Sequence, residues 1–213
     1  MIRGTQGYAE QADELVERYE ALSFNHKHQV ILHLLPATPA RVLDIGAGTG
    51  ADAAWLAQLG HQVIAVEPTN ELRMRGMALH QSPSIEWVSD SLPRLEKIVS
   101  RQTKFDLVML TAVWMHLDEQ ERRFAMPNVA SLLGLNGLLA ITLRHGPVPQ
   151  GRLMFEVSAR ETVALARSSG LRAVLSVHSP STQAVNREAG ITWSRLAFKC
   201  LPGGRQELGP NDA

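Results

Sequence analysis

Val42-Leu43-Asp44-Ile45-Gly46-Ala47-Gly48-Thr49-Gly50 decides how this chain folds. Arg41 to Ile45 reads as a short buried strand. It runs into a glycine loop that opens a helix from Gly50 to Leu59, stopped by Gly60. Glycines at such a turn permit unusual backbone angles and let a ligand come close to the backbone. In an open parallel sheet, ligands bind beyond the carboxyl ends of the strands, where the strand order reverses. The spacing here is Gly-x-Gly-x-Gly, not the Gly-x-Gly-x-x-Gly of dinucleotide binders. Asp44 lies two residues before the first glycine. A carboxylate there repels a pyrophosphate on the helix N-terminus and favours a cationic ligand, such as the ammonium of a methionine moiety.

Downstream, strands and helices alternate. Strands are expected over Gln62 to Val66, Ile85 to Val88, Phe105 to Leu110 and Gly137 to Leu143, with helices over Asn70 to Leu79 and Glu119 to Leu133, the latter closed by Gly134. The continuous run Leu107-Val108-Met109-Leu110 suits a parallel strand covered on both faces. The pattern predicts an α/β fold with a doubly wound sheet. Further on, Ser158 to Ser169 reads as a helix, and Leu171 to Val177 and Ile191 to Lys199 as strands joined by a loop. That predicts a closing hairpin at the sheet edge and hence a mixed sheet. Upstream, Tyr8 to Leu35 reads as two helices, broken near Ser23 and Asn25 and ended by Pro36 and Pro39. The expected organisation is an N-terminal helical segment over 1–40, a sheet domain over 41–201 and a frayed tail over 202–213, all one domain.

Two further acids extend the ligand reading. Glu67 ends the second strand, roughly 20 residues beyond the glycines, the spacing at which an acid reaches ribose hydroxyls. Asp90, in Val88-Ser89-Asp90-Ser91-Leu92, follows the third strand, where an acid can accept from an adenine amino group. Leu72, one turn into the helix after Glu67, offers the ring an apolar face. Each acid also has a plainer reading: Asp44 as a strand-end carboxylate bonded to backbone amides, and Glu67 and Asp90 as turn or cap residues.

With those residues in hand, the chain resembles the class I S-adenosylmethionine-dependent methyltransferases. Val42 to Gly50 resembles their first motif, Val66-Glu67-Pro68 their acidic second motif, and Asp90 their adenine-contacting acid. Phe105-Asp106-Leu107-Val108 with Thr111-Ala112-Val113-Trp114-Met115-His116-Leu117 resembles the fourth-strand region, and Leu133 to Leu139 the turn into the fifth strand. The resemblance implies a seven-stranded mixed sheet with an antiparallel seventh strand, a Rossmann-like methyltransferase fold carrying an N-terminal helical lid. It implies a cofactor shell of Asp44, Gly46, Ala47, Gly48, Gly50, Glu67, Pro68, Leu72, Asp90, Ser91 and Leu92, with Thr111 and Ala112 beside the methionine end. The cofactor implied is S-adenosyl-L-methionine, leaving S-adenosyl-L-homocysteine.

Methyl transfer from a sulfonium is a direct displacement, so alignment and desolvation supply most of the catalysis. If a base is needed, His116 is the first candidate; the other reading has it bonded to backbone, fixing its loop. Trp114 either flanks the methyl or packs in the core. Arg144 and His145 face the mouth by topology, to contact an anionic substrate or to lie on a solvated loop. Tyr19 either closes the pocket or is an ordinary tyrosine. His26, His28 and His33 read as a solvated helix face rather than a metal site, and no metal is expected.

The 213 residues carry no formal net charge, which disfavours nucleic acid as partner. A single cysteine, Cys200, excludes an internal disulfide. No apolar run is long enough to span a bilayer, and the first residues lack the apolar stretch of a secretory signal, so the cytoplasm is the expected compartment. The fourth-strand region has neither the prolines of base-amino methyltransferases nor a cysteine nucleophile. A small-molecule acceptor is therefore expected. The alternatives are a non-catalytic S-adenosylmethionine-binding or scaffold protein and a nicotinamide-dependent oxidoreductase.

Overall fold

A computed structural model describes residues 3–200. The expected tail over 202–213 and the domain end at residue 201 lie outside them. Seven strands, β1 (Arg41–Ile45), β2 (Gln62–Val66), β3 (Ile85–Val88), β4 (Phe105–Thr111), β5 (Leu133–His145), β6 (Leu171–Pro180) and β7 (Thr192–Cys200), form one sheet. Its order is β3-β2-β1-β4-β5-β7-β6. The first five strands in that order pair in parallel, and β7 pairs antiparallel with both β5 and β6. The chain moves outward from β1 to β3 and then crosses to β4 on the other side. The reversal leaves a crevice at the carboxyl ends of β1 and β4.

Side chains alternate across each strand, so the sheet carries a core on each face. Leu43, Ile45, Val108, Leu110 and Ile141 point into the larger one. It is covered by α5 (Glu96–Val99), α6 (Glu119–Ser131) and α7 (Ala159–Ser168). Val42, Ala65, Leu107, Met109 and Ala140 point to the other face. There they meet Phe24 of α2 (Phe24–His28) and Ala53 and Leu56 of α3 (Ala51–Gln58). The first helix, α1 (Ala12–Glu20), lies against α4 (Asn70–Leu79), where Ala12, Leu15 and Leu72 form a small third core.

Four local expectations are corrected. The second helix ends at His28, because Ile31 N donates to His28 O and Leu34 N to Ile31 O, tight three-residue turns that lower the chain onto the sheet. Gly134 does not close α6: the helix stops at Ser131, and Phe105 N donates to Leu132 O as strand pairing begins. A short helix, α8 (Ala184–Glu188), interrupts the expected loop between β6 and β7. The four-residue α5 had no periodic signal and went unexpected.

Gly76 sits mid-helix in α4 because Trp87 and the Thr49 carbonyl press on it. A Cβ there would lie 2.6 Å from Thr49 O and closer still to the Trp87 ring. Gly76→Ala should therefore lower stability by about 1–3 kcal/mol, although alanine is the better helix former by about 1 kcal/mol. Denaturant titration checks it.

Candidate functional site

The glycine loop begins where β1 ends. Gly46 N and Ala47 N both donate to Val66 O, which ties the loop to the tip of β2. Gly46 and Gly48 have φ of 72° and 61°, in the left-handed region that favours glycine. A Cβ on Gly46 would strike Val113, while one on Gly48 would meet only the Tyr19 ring, at 3.5 Å. Tyr19, at the end of α1, thus lies directly over the loop. Glu20 accepts from Thr49 Oγ1, a second link between α1 and the loop.

Three acids gather around this loop. Glu67 is buried and bridges strand tip to loop: Oε2 accepts from Gly48 N at 2.9 Å and Oε1 from Thr69 N at 2.7 Å. Burial raises its pKa, and the two backbone amides oppose the rise. Each oxygen keeps a lone pair for a further donor. Asp44 is also buried, yet its Oδ2 has no hydrogen-bond partner. Burial, reinforced by the neighbouring Asp52 carboxylate, pushes its pKa up to about 8. Asp52 stands in the first turn of α3 and shifts the other way despite its burial, because His28 and Lys27 of α2 both pair with it. Lys27 Nζ lies 2.6 Å from Oδ1, and His28 Nε2 donates to Oδ2 at 2.9 Å. Of the two neighbours, Asp52 is paired with Lys27 and His28, and Asp44 Oδ2 has no partner.

A buried carboxyl oxygen without a donor costs about 1–3 kcal/mol unless a ligand supplies one. Asp44 therefore fits a cofactor bearing an ammonium group. Asp90 is half-buried; Oδ1 accepts from Ser91 N at 2.8 Å and Oδ2 from Ile98 N at 3.0 Å, which also organises the start of α5. Leu92 is buried in the larger core, and Leu72 lies under α1 with Tyr8 and Tyr19. Arg73 donates to Glu67 O at 2.8 Å and reaches Pro68 O at 3.5 Å.

At the end of β4, Ala112 adopts φ 59°, a left-handed conformation that costs a non-glycine residue roughly 1–2 kcal/mol. Its N–H donates to Thr142 Oγ1 at 2.8 Å, and Thr111 Oγ1 donates to Asp52 at 3.3 Å. Val113, Trp114 and Met115 then turn away from the strand. Trp114 is fully buried in the larger core, so its ring packs there.

His116 is buried with both ring nitrogens engaged. Nδ1 lies 2.7 Å from Leu153 O, a carbonyl that can only accept, so Nδ1 carries the proton. Nε2 then accepts from Tyr8 OH at 2.9 Å. Burial pulls the His116 pKa down and pushes the Tyr8 phenol up. The Arg152 guanidinium lies 3.6 Å from the Tyr8 ring centroid and donates to Gln6 O and Gln11 Oε1. The segment ahead of α1 is thereby strapped to the loop after β5. Arg144 is half-buried, with its pKa lowered by burial while Tyr8 raises it. His145 Nε2 lies 2.8 Å from Ser194 Oγ.

The expectation of a solvated histidine face is corrected for His28, which is 1% exposed and bound to Asp52. Sequence reasoning also missed Asp52, Lys27 and Tyr8. Asp52 left one trace, a lone acid in the apolar stretch Ala51-Asp52-Ala53-Ala54. Lys27 and Tyr8 left none, since their partners lie far along the chain.

Residues 42–137 match the family described as methyltransferase domain. The chain is similar to an uncharacterized methyltransferase of Mycobacterium tuberculosis, 32% identical over 127 residues that cover 59% of this chain and 49% of that protein. It is also similar to glycine N-methyltransferase of Homo sapiens, 32% identical over 120 residues that cover 49% of this chain and 41% of that protein. The chain thus spans about half the length or less of these curated relatives. Among solved structures it is similar to Burkholderia thailandensis 1,6-didemethyltoxoflavin-N1-methyltransferase with bound 1,6-didemethyltoxoflavin and S-adenosylhomocysteine. That likeness has a TM-score of 0.70 at 20% identity and covers 92% of this chain and 86% of the other. Family match, sheet order and glycine loop agree: residues 42–137 match a methyltransferase domain, and the sheet has the fold of the solved methyltransferase.

Proposed function

We propose that this chain moves a methyl group from S-adenosylmethionine to a small-molecule acceptor, leaving S-adenosylhomocysteine. The observation that carries the reading is the buried Asp44 carboxyl, one oxygen unpartnered, beside the glycine loop and Glu67. Asp44 would hold the ammonium and Glu67 the ribose hydroxyls. Asp90, Ser91 and Leu92 would border the adenine, with Pro68 and Leu72 beside the nucleoside. Gly46, Ala47, Gly48 and Gly50 let the cofactor approach the backbone, and Thr111 and Ala112 border its methionine end.

The bound cofactor supplies an electrophilic methyl group on a sulfonium. The chain's own residues align and exclude water. Holding two reactants in line is worth roughly 7–11 kcal/mol. Of the N-terminal segment, α1 and the residues just ahead of it act as a lid, with Tyr19 over the loop and Tyr8 strapped by Arg152, while α2 packs into the sheet core. His116 acts through Tyr8, since its Nδ1 proton is committed to Leu153: where the acceptor loses a proton, Tyr8 Oη takes it and passes its own to His116 Nε2. A base of this kind adds about 10²–10⁴-fold. Trp114 positions this turn through its packing, and Arg144 contacts the acceptor. Among the described residues no helix is long and apolar enough to cross a membrane; a cytoplasmic setting is part of the same proposal.

Calorimetric titration with S-adenosylhomocysteine tests the reading. Asp44 must be ionised to pair with the ammonium, and its pKa is raised to about 8. Affinity should therefore rise with pH up to about 8 and then level off, by up to about tenfold per pH unit below it. Asp44→Asn should bind at least about tenfold more weakly at pH 8 and lose this dependence. Affinity for NAD and none for S-adenosylhomocysteine would overturn the proposal. Release of S-adenosylhomocysteine on incubation with small metabolites then separates an enzyme from a cofactor-binding scaffold.

A further inference from the structure

We propose that Arg152 is the catch that holds the α1 lid down, and that closing the lid is what assembles the proton relay between Tyr8 and His116. This rests on the methyltransferase reading above and deepens it to the regulation of the same site.

The two partners of the relay come from distant segments. His116 belongs to the turn after β4, and Tyr8 to the segment ahead of α1, 108 positions away. Two consecutive residues of the loop after β5 hold both of them. Leu153 O accepts from His116 Nδ1 at 2.7 Å, and the Arg152 guanidinium lies 3.6 Å from the Tyr8 ring centroid. Arg152 also donates from Nη1 to Gln6 O at 3.3 Å and from Nη2 to Gln11 Oε1 at 2.7 Å. One planar fork thus grips a carbonyl, a side-chain amide and a ring. The backbones meet beside it: a Cβ on Gly7 would lie 2.7 Å from Gly151 O. Phe155 N donates to Met115 O at 2.8 Å, which fixes the loop after β5 to the turn that carries His116. His116 is therefore held by its own surroundings, whereas Tyr8 arrives with the lid.

Away from the catch the lid is held lightly. The nine residues of α1 are too few for a stable isolated helix, and only Ala12 and Leu15 are buried. The ion pairs that tie the segment elsewhere, Asp13 with Arg75 and Arg3 with Asp118, reach solvent and so contribute little. Ala21, Leu22 and Ser23 join α1 to α2, whose Phe24 is buried in the sheet core. A hinge falls at those three residues. Beside it, Glu20 accepts from Thr49 of the glycine loop, so that end is the pivot and Arg152 grips the end that swings.

Between the two ends, Tyr19 lies over Gly48 and Leu15 packs with Leu72. A cofactor in this cradle leaves when the lid lifts. Lifting it takes Tyr8 from His116 and admits water. Closing it restores the relay and the dry site in one movement, so proton transfer waits on closure. Arg152 is a positioning residue in this scheme.

The test uses the full chain and S-adenosylhomocysteine and needs no acceptor. Release of S-adenosylhomocysteine is timed by stopped flow, amide exchange is followed along α1, and the His116 Nε2 resonance is read by NMR, with Tyr8→Phe marking its position when the relay is broken. Arg152→Met should speed both release and the amide exchange of residues 8–20 at least about tenfold, with exchange in β1 and β4 unchanged. The same variant should move the His116 Nε2 resonance most of the way to its Tyr8→Phe position. Arg152→Lys, which keeps a cation at the ring without the fork, should fall between. Arg75→Met, which breaks only an exposed pair, should change release less than about twofold. If Arg152→Met does not fold, Arg152→Lys and Gln11→Ala carry the test with the same expected direction. Parent-like release in Arg152→Met, a His116 resonance that stays in place, exchange that rises equally in the sheet, or faster release in Arg75→Met than in Arg152→Met would each overturn the proposal. Failure of the parent chain to bind S-adenosylhomocysteine would defeat the underlying methyltransferase reading instead, and the exchange and His116 measurements on the free chain would still decide the catch.

Discussion

Glu67→Ala is expected to weaken S-adenosylhomocysteine binding at least about 100-fold. Two effects add. The proposed ribose contacts are hydrogen bonds to a charged acceptor, each worth roughly 1.5–3 kcal/mol. The carboxylate also holds Gly48 N and Thr69 N, so its removal leaves two amides of the cradle unpaired and removes one of the links between the loop and the end of β2. Since about 1.4 kcal/mol is a factor of ten, two lost bonds alone reach that magnitude. Glu67→Gln keeps an oxygen for one of the amides and should lose less. Calorimetry of both variants, beside their melting curves, separates lost contacts from lost fold. Parent-like affinity in Glu67→Ala would mean that the cofactor lies elsewhere.

The second large effect concerns folding. Arg122→Ala should cost about 3–5 kcal/mol, the range for breaking a buried pair by removing one partner. Arg122 Nε and Nη2 meet the two oxygens of Glu161 at 2.7 and 3.2 Å, and Nη1 donates to Leu117 O at 2.6 Å. The variant leaves a buried carbonyl unpaired and unfastens α7 from α6. For a chain of this length the melting temperature should fall by roughly 6–20 °C. Arg122→Met fills the space without restoring the bonds and should recover only part of the loss. A melting temperature within about 2 °C of the parent would show that solvent replaces the pair.

How far the sequence could be read follows from the range of the forces involved. The ends of β1, β2, β3 and α4 were legible to the residue, because apolar runs, glycines and helix periodicity act over a few neighbours. The order of Asp44, the glycine loop, Glu67 and Asp90 was legible for the same reason: each stands at the end of its own strand. The hairpin of β6 and β7 was expected at an edge, but not that β7 would slot between β5 and β6. That depends on which strand offers β5 its hydrogen bonds, and no local pattern encodes it.

The sequence alone therefore determined the fold class and the order of the acids and glycines along the strand ends. Only the tertiary structure decided which charges are paired. Lys27 and His28 pair with Asp52, 24 or more positions away, and leave Asp44 Oδ2 without a partner; Tyr8 closes on His116, 108 positions on. The physical reason is that a charge's state depends on burial and on neighbours within a few ångströms. Both are set by how distant segments pack, not by the residues on either side.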